Sequence, residues 1–194
     1  MPVAGKAIGD TVKGLLDERG IEFLPSHKPT QIDPLKRIAT YENGAQVEFS
    51  ILGAMPPHRA PGIVREAGLT DASGFVPVDL WNLQSRVSGV YAVGDVAGLK
   101  LPNGNPHPKA GAFAEAQAFT VARCILAEIS GSQPVRYGGT GICYVETGRG
   151  MAAPAEINLL SPEGVKFNFK QLSKEGLEAK QIFERDHFAR WFGG

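Results

Sequence analysis

The sequence has 194 residues, 43% of them apolar and 21% charged, which is enough to bury the core of one domain or two small ones. Its 20 basic and 20 acidic side chains cancel, so no positive field favours a phosphate backbone and nucleic-acid binding is set aside. Cys124 and Cys143 show neither CxxC nor zinc spacing, which argues against a disulfide framework or a metal site and fits a reducing, cytoplasmic setting.

Asp10 to Gly20 reads as an amphipathic helix with Val12, Leu15 and Leu16 on its apolar face and glycine as its stop. Ile21 to Leu24 then reads as a strand. A helix followed by a strand is the second half of a βαβ unit, so the sequence reads as starting inside a domain. Lys36 to Tyr41 and Gln46 to Leu52 are strand-like and flank Asn43-Gly44, which predicts a hairpin whose turn has positive φ at both central residues. Met55 to Pro61 carries three prolines, which fix the chain path and remove donors, so it reads as a rigid crossover.

Phe75 to Val78 reads as an edge strand because of Pro77, and Gly89 to Val93 as a buried strand ending in Gly94-Asp95. The longest helix is expected over Pro108 to Ile129. Its apolar face is predicted through Ala110, Phe113, Ala114, Ala118, Val121, Ile125 and Ile129, with Gly131 ending it. Glu115, Gln117, Arg123 and Glu128 interrupt it, so it is not a membrane span. Ile142 to Glu146 and Ala152 to Leu160 read as strands, and Lys174 to Phe192 as a final amphipathic helix.

The chemistry centres on strand, Gly94-Asp95, loop and helix. Glycine at 94 lets a ligand approach the backbone. Asp95 and Val96 follow at the carboxyl end of a strand, where ligands bind in open α/β sheets and a carboxylate accepts from a sugar hydroxyl. The helix start near Pro108, Lys109 and Ala110 offers free N–H groups and positive charge to an anion. The other reading of the same turn is that Asp95 only bonds nearby amides. His27, His58, His107 and His187 form no metal or triad spacing. His58 and His107 fall in the loops beside the turn.

The run Gly89-Val90-Tyr91-Ala92-Val93-Gly94-Asp95 resembles the second FAD motif of the pyridine nucleotide-disulfide oxidoreductases, the two-dinucleotide-binding-domain flavoproteins. Pro108 to Ala118 and Gly141 to Gly148 resemble the branch containing sulfide:quinone reductases and flavocytochrome c sulfide dehydrogenases. The likeness runs from Gly5 to Phe192. It implies FAD as cofactor, with Gly94, Asp95 and Val96 at the ribityl chain and Lys109 and Ala110 beside the flavin. It also implies Cys143 as a sulfur carrier, whereas by residue type alone Cys143 and Cys124 read as core cysteines. The G-x-G-x-x-G turn that would take the FAD pyrophosphate is missing from the sequence.

The expected fold is therefore α/β with α+β additions, a partial flavoprotein. Residues 1–60 would be the remnant of a nicotinamide-type domain, 61–131 the C-terminal part of an FAD domain, and 132–194 an interface domain. The implied parent moves electrons from a reduced sulfur donor through FAD to a quinone or cytochrome. One alternative keeps the flavin and takes NADH as donor. Another is a non-catalytic domain that folds and associates, as a homodimer for instance, without FAD. Phe183, Phe188, Trp191 and Phe192 suit either a peripheral membrane contact or packing on the protein; the mixed charges of their helix favour packing.

Overall fold

A computed structural model describes residues 5–193. The chain divides into two compact units, Lys6–Pro57 and the residues from 58 onward.

In the first unit, helix α1 (Gly5–Asp17) starts earlier than the sequence suggests, and the chain reverses at Gly20, φ +66°. Ile21 to Leu24, expected as a strand, is exposed and unpaired among the described residues; a strand has no stability without a neighbour to bond. A three-stranded antiparallel sheet follows, β1 (Pro29–Asp33), β2 (Ile38–Tyr41) and β3 (Gln46–Glu48), in the order β1-β2-β3. The hairpin is where the sequence places it, with another turn geometry. Gly44 has φ +81° and Asn43 is not left-handed. The Gly44 amide donates to the Tyr41 carbonyl at 2.9 Å and Tyr41 to Ala45 at 3.0 Å. That is a three-residue loop closed by one left-handed glycine, a form that needs positive φ only once.

The second unit begins with a short helix, α2 (Gly62–Glu66). Phe75 to Val78 and Gly89 to Val93, both expected as strands, pair only through single bridges, Val76 with Ala97, Val78 with Ser85 and Gln84 with Tyr91. They are extended chain without a continuous ladder. Gly94–Val96 is one turn of 3-10 helix, and α3 spans Gly111–Ser130, ended by Gly131 at φ +67° as the sequence predicts. A second antiparallel sheet is ordered β4 (Thr140–Glu146), β5 (Ala152–Asn158), β6 (Lys166–Phe169). Helix α4 (Lys174–Phe192) has the bounds expected, set by Ser173, whose hydroxyl accepts from the Gly176 amide at 3.0 Å.

Two hydrophobic clusters hold this unit. Val76, Leu83, Ala92, Ala97, Leu99 and Tyr137 form one, and Leu101, Phe113, Ile157 and Leu159 the other. Two glycines set how closely the layers approach. A Cβ on Gly141 would lie 2.8 Å from the Phe113 ring, so the bare β4 backbone receives α3 there. A Cβ on Gly176 would collide with the Ala152 carbonyl oxygen, so glycine lets the first turn of α4 rest on β5. The α3 face differs from the prediction. Its buried residues are Phe113, Gln117, Thr120, Cys124 and Ala127, while Ala118, Ile125 and Ile129 are exposed. Gln117 and Thr120 bond internally, so polarity does not bar them from the interior.

Candidate functional site

The Gly94 turn sits between the first cluster and α3. Gly94 has φ +67°, a backbone conformation that favours glycine, and a Cβ there would be in contact with Ala114 Cβ at 3.4 Å. Its amide donates to Gln117 Oε1 at 2.7 Å. The Asp95 carboxylate is exposed, and none of the hydrogen bonds among the described residues involves it. Val96 is half-buried against the first cluster, and its carbonyl accepts from the Val76 amide at 2.9 Å. Lys109 reaches back to this turn. Its ammonium donates to the Asp95 carbonyl at 2.6 Å and the Ala97 carbonyl at 3.1 Å, and stands 3.9 Å from the Phe75 ring centroid. Burial lowers its pKa, with the Asp95 charge acting the other way. Much of Lys109's charge is therefore spent on the turn.

Ala110 caps α3 without a side-chain hydrogen bond, and its carbonyl accepts from Phe113 and Ala114 at 3.1 and 3.0 Å. The amides of Gly111 and Ala112 precede the helical ladder, so the first turn presents donors. Behind that turn lies a buried run of hydrogen bonds. Gln117, which holds Gly94, also bonds the Tyr137 phenol. The phenol bonds His107 Nε2 at 3.0 Å, and His107 Nδ1 donates to the Pro108 carbonyl at 2.7 Å. With its one proton on Nδ1, the imidazole accepts from Tyr137 at Nε2. Burial lowers the His107 pKa and raises that of Tyr137 to about 12, so the run is neutral at physiological pH. Sequence reasoning placed His107 in a loop near the site; its partner lies thirty positions away, where no spacing rule reaches.

Ala110 and Cys143 meet at a cavity of about 690 Å³, which Gly94, Asp95, Val96 and Lys109 do not line. The first turn of α3 and β4 form one wall. Phe183, Phe188, Trp191 and Phe192 of α4 form the other. The Cys143 thiol is half-buried, and burial pushes its pKa up. Cys124 is fully buried and its Sγ donates to the Val135 carbonyl at 3.4 Å, as a core residue would. At the cavity edge the Glu115 carboxylate accepts from Arg190 at 2.9 Å and meets His187 Nε2 at 3.1 Å, while His187 Nδ1 lies 2.8 Å from the Phe183 carbonyl. No spacing rule marks this pair, whose members are 72 positions apart.

His27 contacts the Pro25 carbonyl and Asn43, and His58, Pro56 and Pro57 are exposed. Among the described residues no group of His, Cys, Asp and Glu is placed to hold a metal ion. No helix among them is long and apolar enough to cross a membrane. The membrane-or-packing alternative for α4 divides along its length. The helix packs on β5 and β4, and Phe183 stacks on Tyr144. Phe188, Trp191 and Phe192 are 59%, 60% and 80% exposed.

The fold is that of part of a two-dinucleotide-binding-domain flavoprotein. It superposes on sulfide:quinone oxidoreductase from Aquifex aeolicus with a TM-score of 0.73 at 20% identity, over 95% of this chain and 49% of that one. A chain of the Tetrahymena thermophila mitochondrial ATP synthase matches at TM-score 0.60 and 20% identity, over 83% of this chain and 40% of that one. In sequence, the chain is 25% identical over 178 residues to mitochondrial sulfide:quinone oxidoreductase of Mus musculus, covering 88% of this chain and 38% of the relative. No protein-family model matches. The resemblance to the sulfide:quinone reductase branch is thus borne out, and the chain spans less than half the length of these relatives.

Proposed function

We propose that the chain is part of a flavoprotein that passes electrons from sulfide, or a related reduced sulfur donor, through FAD to a quinone, and that the cavity beside Cys143 receives the quinone. One observation carries the reading. A thiol, a helix start with free amides and five aromatic side chains, Tyr144 of β4 and four from α4, converge on a single cavity of about 690 Å³, large enough and apolar enough for a quinone ring. In this reading residues 1–60 derive from the nicotinamide-type domain, 61–131 from the FAD domain and 132–194 from the interface domain.

The residues fit a flavin. Gly94 admits close approach, the Asp95 carboxylate is open to a ribityl hydroxyl, and the α3 amides would stabilise negative charge on a flavin placed at that helix start. A bound flavin would supply the two-electron chemistry. Asp95 would hold the ribityl chain, Val96 and Ala110 would set the walls, and Lys109 would fix the turn and add positive potential. Cys143 would carry sulfur. Burial raises its pKa, so the thiol rests protonated and would react with a sulfur species only once it has lost that proton.

The test is a titration of the chain with a neutral naphthoquinone, read as quenching of Trp191 fluorescence. Saturable quenching is the expected result, and its absence overturns the cavity assignment. A parallel absorbance scan with added FAD addresses the cofactor. The chain lacks a pyrophosphate turn, so FAD is expected to be released on gel filtration. Retained flavin bands would sink the non-binding alternative.

A further inference from the structure

We propose that His187 is a proton donor to the occupant of the aromatic cavity, holding beside it the proton that a quinone needs when it is reduced. This rests on the cavity reading above and adds a residue and a step to it.

Both ring nitrogens of His187 face groups that only accept. Nδ1 is 2.8 Å from the Phe183 backbone carbonyl and Nε2 is 3.1 Å from the Glu115 carboxylate. Neutral imidazole carries one N–H and would set its lone pair against one of these oxygens; only the imidazolium satisfies both. The Phe183 ring lies against it with centroids 3.9 Å apart, which adds a favourable face for a cation. The pKa of His187 is raised, chiefly by the Glu115 bond and next by the Phe183 carbonyl, with desolvation and then Arg190 opposing.

The surrounding charges keep this state over a useful pH range. From α3 there is Glu115, and from α4 Arg190, Glu184 and Lys180. From β4 come Tyr144, which stacks on Phe183, and Glu146, which is ion-paired to Lys180. His187 is the imidazole among them, the side-chain type whose charge changes near neutral pH. Its side chain is 26% exposed, open to both cavity and solvent.

The step balances as follows. A bound reduced flavin would supply the two electrons and one proton, and a quinone that has taken them up is a quinol monoanion. The Nε2–H of His187 exchanges its Glu115 acceptor for the quinol oxygen, the Nε2–H bond then breaks, an O–H bond forms on that oxygen, and neutral imidazole remains. Solvent then returns the proton. Glu115 and Arg190 act as positioning residues that keep Nε2 at the cavity edge.

An anionic quinone analogue, 2-hydroxy-1,4-naphthoquinone, mimics the quinol anion and needs no flavin. It is titrated into the chain beside neutral 1,4-naphthoquinone, both read by Trp191 quenching. In the unmodified chain the anion is expected to bind roughly fivefold more tightly near pH 6 than near pH 8.5, with no matching change for the neutral compound. His187→Gln is expected to bind the anion weakly at both pH values. His187→Lys, which keeps a charge that does not titrate there, is expected to bind it tightly at both. If both quinones bind but His187→Gln keeps the pH dependence, the proton donor is another group and the proposal is overturned while the cavity reading stands. If neither quinone binds the unmodified chain, the cavity reading falls and takes this proposal with it.

Discussion

His107 and His187 each use both ring nitrogens, and they are held in opposite charge states. His107 has one partner that accepts, the Pro108 carbonyl, and one that donates, the Tyr137 hydroxyl. His187 has two acceptors. Burial adds to the contrast. His107 is 7% exposed inside the unit, where a charge would be poorly solvated, whereas His187 lies at a water-facing edge beside a carboxylate. The partners and their surroundings, not the residue type, decide which histidine is a fixed spacer and which a movable proton.

The largest effect comes from removing what the inner arrangement rests on. Phe113 is fully buried and meets His107 edge-on with ring centroids 5.0 Å apart. Phe113→Ala is expected to cost about 3–5 kcal/mol, read as a lower urea midpoint. A loss below roughly 1 kcal/mol would show that the second cluster is not central to the fold.

Gln117→Ala comes next. It strips the acceptor from the Gly94 amide and a partner from Tyr137, for an expected loss of about 1–3 kcal/mol. Faster hydrogen exchange at the Gly94 amide is the specific sign, and unchanged exchange there would argue that Gln117 does not hold the turn.

The pH dependences sharpen the contrast because their signs differ. His107 has a folded pKa below the ordinary 6.5. Its contribution is therefore full above that value and is lost as pH falls toward the folded pKa. The urea midpoint should drop between about pH 7 and 5, and His107→Gln should flatten that part of the profile. A profile unaltered by the substitution would assign the drop to other groups.

The smallest effect is at His187. Its folded pKa is raised from 6.5, so its contribution is present below 6.5 and is lost as pH rises through the folded value. Imidazole titration by NMR is expected to place the His187 midpoint above 6.5, and Glu115→Gln to bring it back down. A midpoint insensitive to Glu115 would deny the pair.

Local signals were the legible ones. The amphipathic pattern from Lys174 to Phe192 marked α4, Gly131 marked the end of α3, and Asn43-Gly44 marked a hairpin. What depended on distant partners was not legible. Ile21 to Leu24 has strand composition and no neighbouring strand to bond. The α3 face was misjudged because Gln117 and Thr120 enter the interior through hydrogen bonds that hydropathy does not count. The same limit applied at the site. Gly94-Asp95 is a contiguous motif, the helix start at Ala110 follows from local pattern, and Cys143 was found by resemblance. The pairings of His107 with Tyr137, and of His187 with Glu115, join residues on separate elements and have no sequence period.

The contact between Gly141 and Phe113 also limits how the sequence can drift. The phenyl ring occupies the volume that any side chain at 141 would take. A mutation at either position changes what the other tolerates, so the two should covary among homologues, with bulk gained at 141 only where it has been surrendered at 113. Gly141 is two residues from Cys143, and Phe113 lies in the first turn of α3. An evolutionary exchange at this pair would shift the cavity wall without altering a residue that lines it through its side chain, and so offers a route to retuning ligand preference from behind the site.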